Sequence, residues 1–170
     1  LQSLKRNLKQ RQDAMILVHA ERNILTGVPL STNIVTGNNM EKIGVSQKAI
    51  ILNKEGRFLA LRRSKTAPAK PLSWDLPGGE LDFGEDPIKG IIREIEEETG
   101  IIIEKIEPFD VEAHVAPNKE FWVTIAYKTQ CDEADVKLSF EHDEFKWLLP
   151  EEFLELESSE KLQRFAQKLT

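Results

Sequence analysis

Glu94, Glu97 and Glu98 fall three and four positions apart within Arg93-Glu94-Ile95-Glu96-Glu97-Glu98. At 3.6 residues per turn such spacing puts all three side chains on one helix face. Like charges so placed repel and disfavour the helix unless something positive sits against them. A hard divalent cation with oxygen ligands meets that need, Mg²⁺ above all and Mn²⁺ as the alternative. A bare solvated acidic face fits the same string, because charge runs on helices are commonly no more than exposed surface.

The flanking residues specify the element that must present these acids. Asp86-Pro87 supplies an N-cap side chain followed by a proline at the first helical position. Ile88, Ile91, Ile92 and Ile95 recur at helical spacing as an apolar stripe opposite the acids. Thr99-Gly100 ends the helix with glycine at the usual stop. Upstream, Trp74-Asp75-Leu76 reads as strand-like and Pro77-Gly78-Gly79 as a tight turn leading into the acidic segment. Between Glu80 and Glu98 there are eight acids and two bases, an excess equal to the net charge of −6 carried by the whole chain. The remainder is neutral overall, which argues against a broad basic surface for duplex nucleic acid.

From Gly79 to Ile101 the chain resembles the Nudix box, at nine constrained positions: Gly79, Glu85, Arg93, Glu94, Ile95, Glu97, Glu98, Gly100 and Ile101. The resemblance extends from about Ile43 to the C-terminus. It implies an α/β fold, a Nudix-type α/β/α sandwich with a mixed β-sheet, and a divalent-metal-dependent hydrolase that cleaves the diphosphate linkage of a nucleoside diphosphate derivative. Nucleoside triphosphates, oxidised nucleotides and ADP-ribose are the candidate classes; a non-catalytic nucleotide-sensing module with the same fold is the alternative. The resemblance further implies that Glu94, Glu97 and Glu98 ligate the metal, directly or through water, with one of them or a loop acid as general base. The carbonyl of Gly78 or Gly79 is a further candidate ligand. Arg93 is similar to the family arginine that orients a catalytic glutamate, with a structural ion pair as the other reading. Glu85 either holds the loop against the helix or binds a second metal. Of the later acids, Glu144 is the first candidate ligand, then Glu141, then Glu120; His114 and His142 read as structural or solvated.

The group attached to the diphosphate is less well specified. Arg62, Arg63 and Lys65 are candidates to meet phosphates, with simple solvation as the other reading, and Trp74, Phe83, Phe121 and Trp122 to stack a base, although aromatics at strand positions are usually core. Pro117 lies sixteen residues past the box, where ADP-ribose hydrolases of the family tend to carry a proline.

A length of 170 residues with 40% hydrophobic and 31% charged content suits one ordinary globular domain. No apolar run approaches the roughly 18–20 residues of a membrane span. One cysteine, Cys131, precludes an internal disulfide and suits a reducing, cytoplasmic setting. Residues 1–40 form an N-terminal extension of uncertain origin, with a basic start (Lys5, Arg6, Lys9, Arg11) and no secretory signal; Met40 is a candidate natural start, and 41–170 the hydrolase domain. Assembly as a homodimer stays open. Within that domain, strands are expected at Val45–Leu52, Arg57–Leu61, Ile102–Glu107, Phe109–Val115, Phe121–Thr129 and Phe145–Leu149, with a basic loop from Arg62 to Ser73. A helical turn begins at Pro150, and a last helix capped by Ser158 or Ser159 buries Leu162, Phe165, Ala166 and Leu169.

Overall fold

The computed structural model describes residues 43–131 and 135–170, so the expected boundary at residue 40 lies outside the described residues. Among the described residues six strands and three helices follow in order: β1 (Ile43–Leu52), β2 (Phe58–Arg63), β3 (Trp74–Asp75), α1 (Pro87–Thr99), β4 (Glu107–Val115), β5 (Phe121–Gln130), β6 (His142–Leu148), α2 (Pro150–Leu154) and α3 (Glu160–Gln167). β1 is buried along almost its whole length and runs parallel to β5 from Ile43↔Phe121 to Leu52↔Gln130, while β4 continues that sheet antiparallel to β5. β2 turns back from β1 through Asn53–Gly56 but pairs with it only at Leu52↔Phe58; its ladders run with β3 and β6 instead. The mixed sheet is as expected.

Strand alternation then decides the layers, because successive side chains point to opposite faces. Ala49, Ile51, Leu59, Leu61 and Tyr127 face one way and pack with Ile91 and Ile95 of α1. Ile50, Phe58, Ala60 and Ala126 face the other and pack with Phe153 of α2 and Leu162, Phe165 and Ala166 of α3. Helices therefore cover both faces, the sandwich that the resemblance implies. Leu169 joins the second cluster and Ser159 is the N-cap of α3, although its hydroxyl makes no capping bond.

Four local expectations need correction. Of Ile102–Glu107 only Glu107 is strand, as the first residue of β4: Glu107↔Lys128 is the outermost rung between β4 and β5, and Ile101 and Ile103 plug the core under α1. Arg62 and Arg63 belong to β2 rather than to the loop, and β6 starts at His142 instead of Phe145. Ile88, in the first turn of α1, remains exposed while Ile91 and Ile95 are fully buried.

Truncating Ile95 to alanine should cost about 2–5 kcal/mol, as expected for a fully buried aliphatic side chain. Ile102→Ala, at a position 76% exposed, should stay within about 0.5 kcal/mol of the parent. Urea unfolding of the two variants checks both values.

Candidate active site

α1 is built to hold its acids still. The Asp86 carboxylate accepts from the N–H groups of Ile88 and Lys89 at 3.0 Å each, satisfying two donors of the first turn. Gly100 ends the helix in the left-handed region (φ 69°) and returns its N–H to the Glu96 carbonyl at 2.8 Å. The hydroxyl of Thr99 donates to the Ile95 carbonyl at 2.6 Å.

The positive charge that the acidic face requires comes from Arg93. Its guanidinium donates to Glu85 (3.0 and 3.3 Å), to Glu94 (2.9 Å) and to Glu97 (3.0 Å), so one cation ties three box acids together. Hydrogen bonding to Glu85 and Glu94 pushes the Arg93 pKa further up, and the same bond holds Glu85 below its ordinary value. The structural reading of Glu85, holding the loop to the helix, fits this contact. Of the two readings of Arg93, the structure shows the ion pairs, and two of them fall on Glu94 and Glu97.

Glu98 leaves this network. Its side chain lies inward, with the residue only 8% exposed, and accepts from the Gly78 N–H at 2.8 Å. Burial raises its pKa to about 7, outweighing the pull of Lys48 and of that N–H. His142 Nδ1 lies 4.0 Å from Glu98, but burial lowers the imidazole to about 4, so the two are not an ion pair at neutral pH.

The loop Pro77–Leu81 carries the remaining part of the site. It fills the edge of β1 that β2 does not use: Ala49 N–H bonds Pro77 O (2.8 Å), Gln47 N–H bonds Gly79 O (2.8 Å), and Leu81 N–H bonds Val45 O (2.9 Å). Gly78 has φ 129°, and a Cβ there would sit 2.3 Å from the Gln47 carbonyl oxygen. At Gly79 a Cβ would come within 2.6 Å of the Glu94 carboxyl carbon, so the missing side chain is the space that Glu94 occupies. Beneath the loop, Lys48 spends its three protons on Asp75 (2.8 Å), Leu76 O (3.0 Å) and Gly78 O (2.9 Å).

A cavity of about 590 Å³ opens at this loop. Glu94, Glu98, Gly78, Gly79, Glu80 and Glu141 line it together with Arg63, Lys70, His114, Trp122 and Lys161. Not every expected site residue reaches it. Arg62 pairs with Asp143 (2.7 Å) and Glu144 (2.6 Å), and Glu144 also meets Lys146 (3.3 Å); none of these lines the cavity. Glu144 stands directly across from Arg62 in the β2–β6 ladder, whereas Glu141, the second choice, does line the cavity. Phe83 is fully exposed and away from the lining. Trp74 does line the cavity, although it is 7% exposed and chiefly core, with Lys146 stacked 4.7 Å from its ring centre. Sequence reasoning missed Lys48, Glu80, Lys70 and Lys161. For Lys48 a signal was present: a Gln-Lys pair interrupts what is otherwise a buried strand.

Among the described residues no three acidic, histidine or cysteine side chains already converge as a metal cage. Arg93 accounts for this, since it occupies oxygens of both Glu94 and Glu97. The donor set nonetheless suits a hard cation. Two carboxylates, Glu94 and Glu98, face the cavity and the cradle at Gly79 leaves room for Glu94, while Glu97 is outside the lining and is tied to Glu94 through Arg93. The Gly78 and Gly79 carbonyls already accept from Lys48 and Gln47, leaving each one further lone pair.

A NUDIX domain profile matches residues 42–169. A MutT-like protein of Streptomyces ambofaciens is 32% identical over 111 residues, which is 65% of this chain and 67% of that protein. The RNA pyrophosphohydrolase of Acidiphilium cryptum is 36% identical over 52 residues, 31% of this chain and only 32% of its own length. The crystal structure of the MutT protein from Methanosarcina mazei superposes with a TM-score of 0.65 at 32% identity, covering 76% of this chain and 94% of that one. The chain belongs to the Nudix family and is one of its pyrophosphohydrolases, enzymes that hydrolyse pyrophosphate bonds of nucleotide derivatives.

Two outcomes follow from the geometry. Gly79→Ala should displace the Glu94 carboxylate and lower turnover at least about 100-fold while the protein still melts cooperatively; kcat and a thermal melt check this. With chelator present, Glu98 binds a proton more readily when folded than when unfolded between its ordinary value of 4.5 and about 7. Its contribution to stability is therefore lost as pH rises through that window, by at most about 1.4 kcal/mol per pH unit. His142 acts oppositely, losing stability as pH falls from 6.5 towards about 4. The difference in unfolding free energy between parent and Glu98→Gln should accordingly shift against the parent from pH 5 to pH 8.

Proposed function

We propose that this enzyme hydrolyses the diphosphate of a nucleoside diphosphate derivative with a divalent cation, Mg²⁺ or Mn²⁺, held by Glu94, Glu97 and Glu98. The observation that carries the reading is one cavity lined by box acids and by the cations Arg63, Lys70 and Lys161. Such a wall suits a ligand whose phosphates need positive partners on both sides. The bound cation would neutralise phosphoryl oxygens and acidify water. Glu94 faces the cavity and takes the proton of the attacking water, held in register by Arg93; Glu97 is positioned by the same guanidinium. Glu141 replaces Glu144 as the acid contributed by the later loop. Lys48 keeps the Gly78 turn in place and so orients the N–H that holds Glu98.

A phosphate-release screen with Mg²⁺ across nucleoside triphosphates, oxidised nucleotides, ADP-ribose, sugar nucleotides and dinucleoside polyphosphates tests this reading. Glu97→Gln and Glu98→Gln should each reduce kcat about 10²–10⁴-fold on the active substrate. Glu141→Gln should reduce it measurably, whereas Glu144→Gln should leave it within about twofold. Unchanged turnover in both box variants would sink the metal assignment. Tight nucleotide binding with no turnover of any compound would favour the sensing-module alternative.

A further inference from the structure

α3 and its C-cap carry a stripe of three bases, Lys161, Arg164 and Lys168, spaced so that they share one side of the helix. Two are neutralised by β4 below. Arg164 pairs with Glu112 at 2.9 Å, and Lys168 bonds Asp110 and Glu112. Asp110, Glu112 and His114 alternate along β4 and so share a face. Where the pattern calls for a third acid, the strand supplies an imidazole. That imidazole is held below its ordinary pKa by burial and then by Lys161 and Lys70, which keeps it uncharged at neutral pH.

Lys161 is thus the member of the stripe with no carboxylate bonded to it among the described residues. Its ammonium donates to a neutral partner, the Thr124 hydroxyl, at 3.1 Å, and that hydroxyl is fixed by Ser46 at 2.7 Å. Lys70, in the loop that covers the same cavity, pairs with no carboxylate among the described residues. The two ammonium groups act on each other and on His114, so they occupy one region of the cavity. Lys48 and Arg63, by contrast, share Asp75. Lys161 is partly buried and Lys70 exposed, both on the cavity wall, and two like charges with no carboxylate bonded to either among the described residues favour an anion between them.

We propose that Lys161 and Lys70 form a second anion subsite in this cavity, which holds a substrate phosphate outside the diphosphate that is cleaved. The favoured substrate class is then a nucleotide with three or more phosphates, or one bearing a further terminal phosphate, rather than ADP-ribose. This rests on the proposed hydrolase function for its meaning in turnover, but the subsite can be measured without it. Burial, followed by Lys48 and Lys70, lowers the Lys161 pKa to about 8, while Asp75 opposes them. The subsite therefore loses charge at mildly alkaline pH, and an arginine at this position would not.

The test is calorimetric titration of the full chain with inorganic tripolyphosphate in chelator. Lys161→Met and Lys70→Met should each weaken binding about tenfold or more, and Lys161→Arg should stay within about threefold at pH 7. Between pH 7 and pH 9 the parent should lose affinity relative to Lys161→Arg, a difference that a purely structural role would not produce. Thermal melts verify folding, and Lys70→Met in a surface loop decides the matter should Lys161→Met fail to fold. In the Mg²⁺ assay, Lys161→Met should raise KM about tenfold for a nucleoside triphosphate and less than twofold for ADP-ribose. Undiminished tripolyphosphate binding in both methionine variants, or equal KM changes for the two substrates, would overturn the subsite. Absence of turnover by the parent alone would instead count against the hydrolase function and leave the binding result decisive.

Discussion

The buried ammonium of Lys48 is the contact on which the site depends. A charge taken out of water inside a sheet is tolerated only when its donors are satisfied and an opposite charge is close. Here one carboxylate and two carbonyls supply all three acceptors, and all belong to the stretch Asp75–Gly78. Burial alone would push the Asp75 carboxyl up, but Lys48 overrides it and holds the group ionised. The loop therefore cannot drift without stranding a cation and an anion in the interior. Because the loop cannot drift, the Gly78 N–H stays aimed at Glu98 and Gly79 stays beneath Glu94.

The acidic helix solves its own repulsion in two ways. Glu94 and Glu97 share the Arg93 guanidinium with Glu85, a planar donor fork that can serve several carboxylates at once. Glu98 is instead buried, where its proton affinity rises and its charge becomes conditional. A metal ion would alter both arrangements, since it must compete with Arg93 for oxygens and drive the proton from Glu98. The stability of α1 without a cation and its capacity to hold one thus come from the same few contacts.

The box elements were legible because each carries a local signal: Asp86-Pro87 to start, Gly100 to stop, and Ile91 and Ile95 at helical spacing to bury. Placement of the later acid was not legible. In a strand, a shift of one or two positions moves a side chain to another face or another partner, so Glu144 meets Arg62 across the ladder while Glu141, before the strand begins, reaches the cavity. Phe83 illustrates the complementary limit, as an aromatic in a Gly-flanked loop has no periodicity to reveal which way it points. The segment 102–106 has strand-like composition, yet it lies beyond the outermost β4–β5 rung, Glu107↔Lys128. Composition proposes a strand, but only an available edge makes one. Lys48 was overlooked because a lysine in a strand is ordinarily a surface residue, and it takes Asp75 and two carbonyls some thirty residues on to make its burial tolerable.

The two walls of the cavity reflect one feature of the sheet. Ser46 and Lys48 on β1, Thr124 on β5 and His114 on β4 all occupy the face towards α3, where alternation elsewhere buries Ile50 and Ala126. That face is apolar under the body of the helices and polar beyond them. The change occurs where β2 leaves β1 after a single pairing and the glycine loop takes its place. The gap left by that divergence admits acids from α1 on one side and bases from α3 on the other. A continuous β1–β2 ladder would close it. The early separation of the hairpin is therefore the topological condition for having a substrate cavity at this edge.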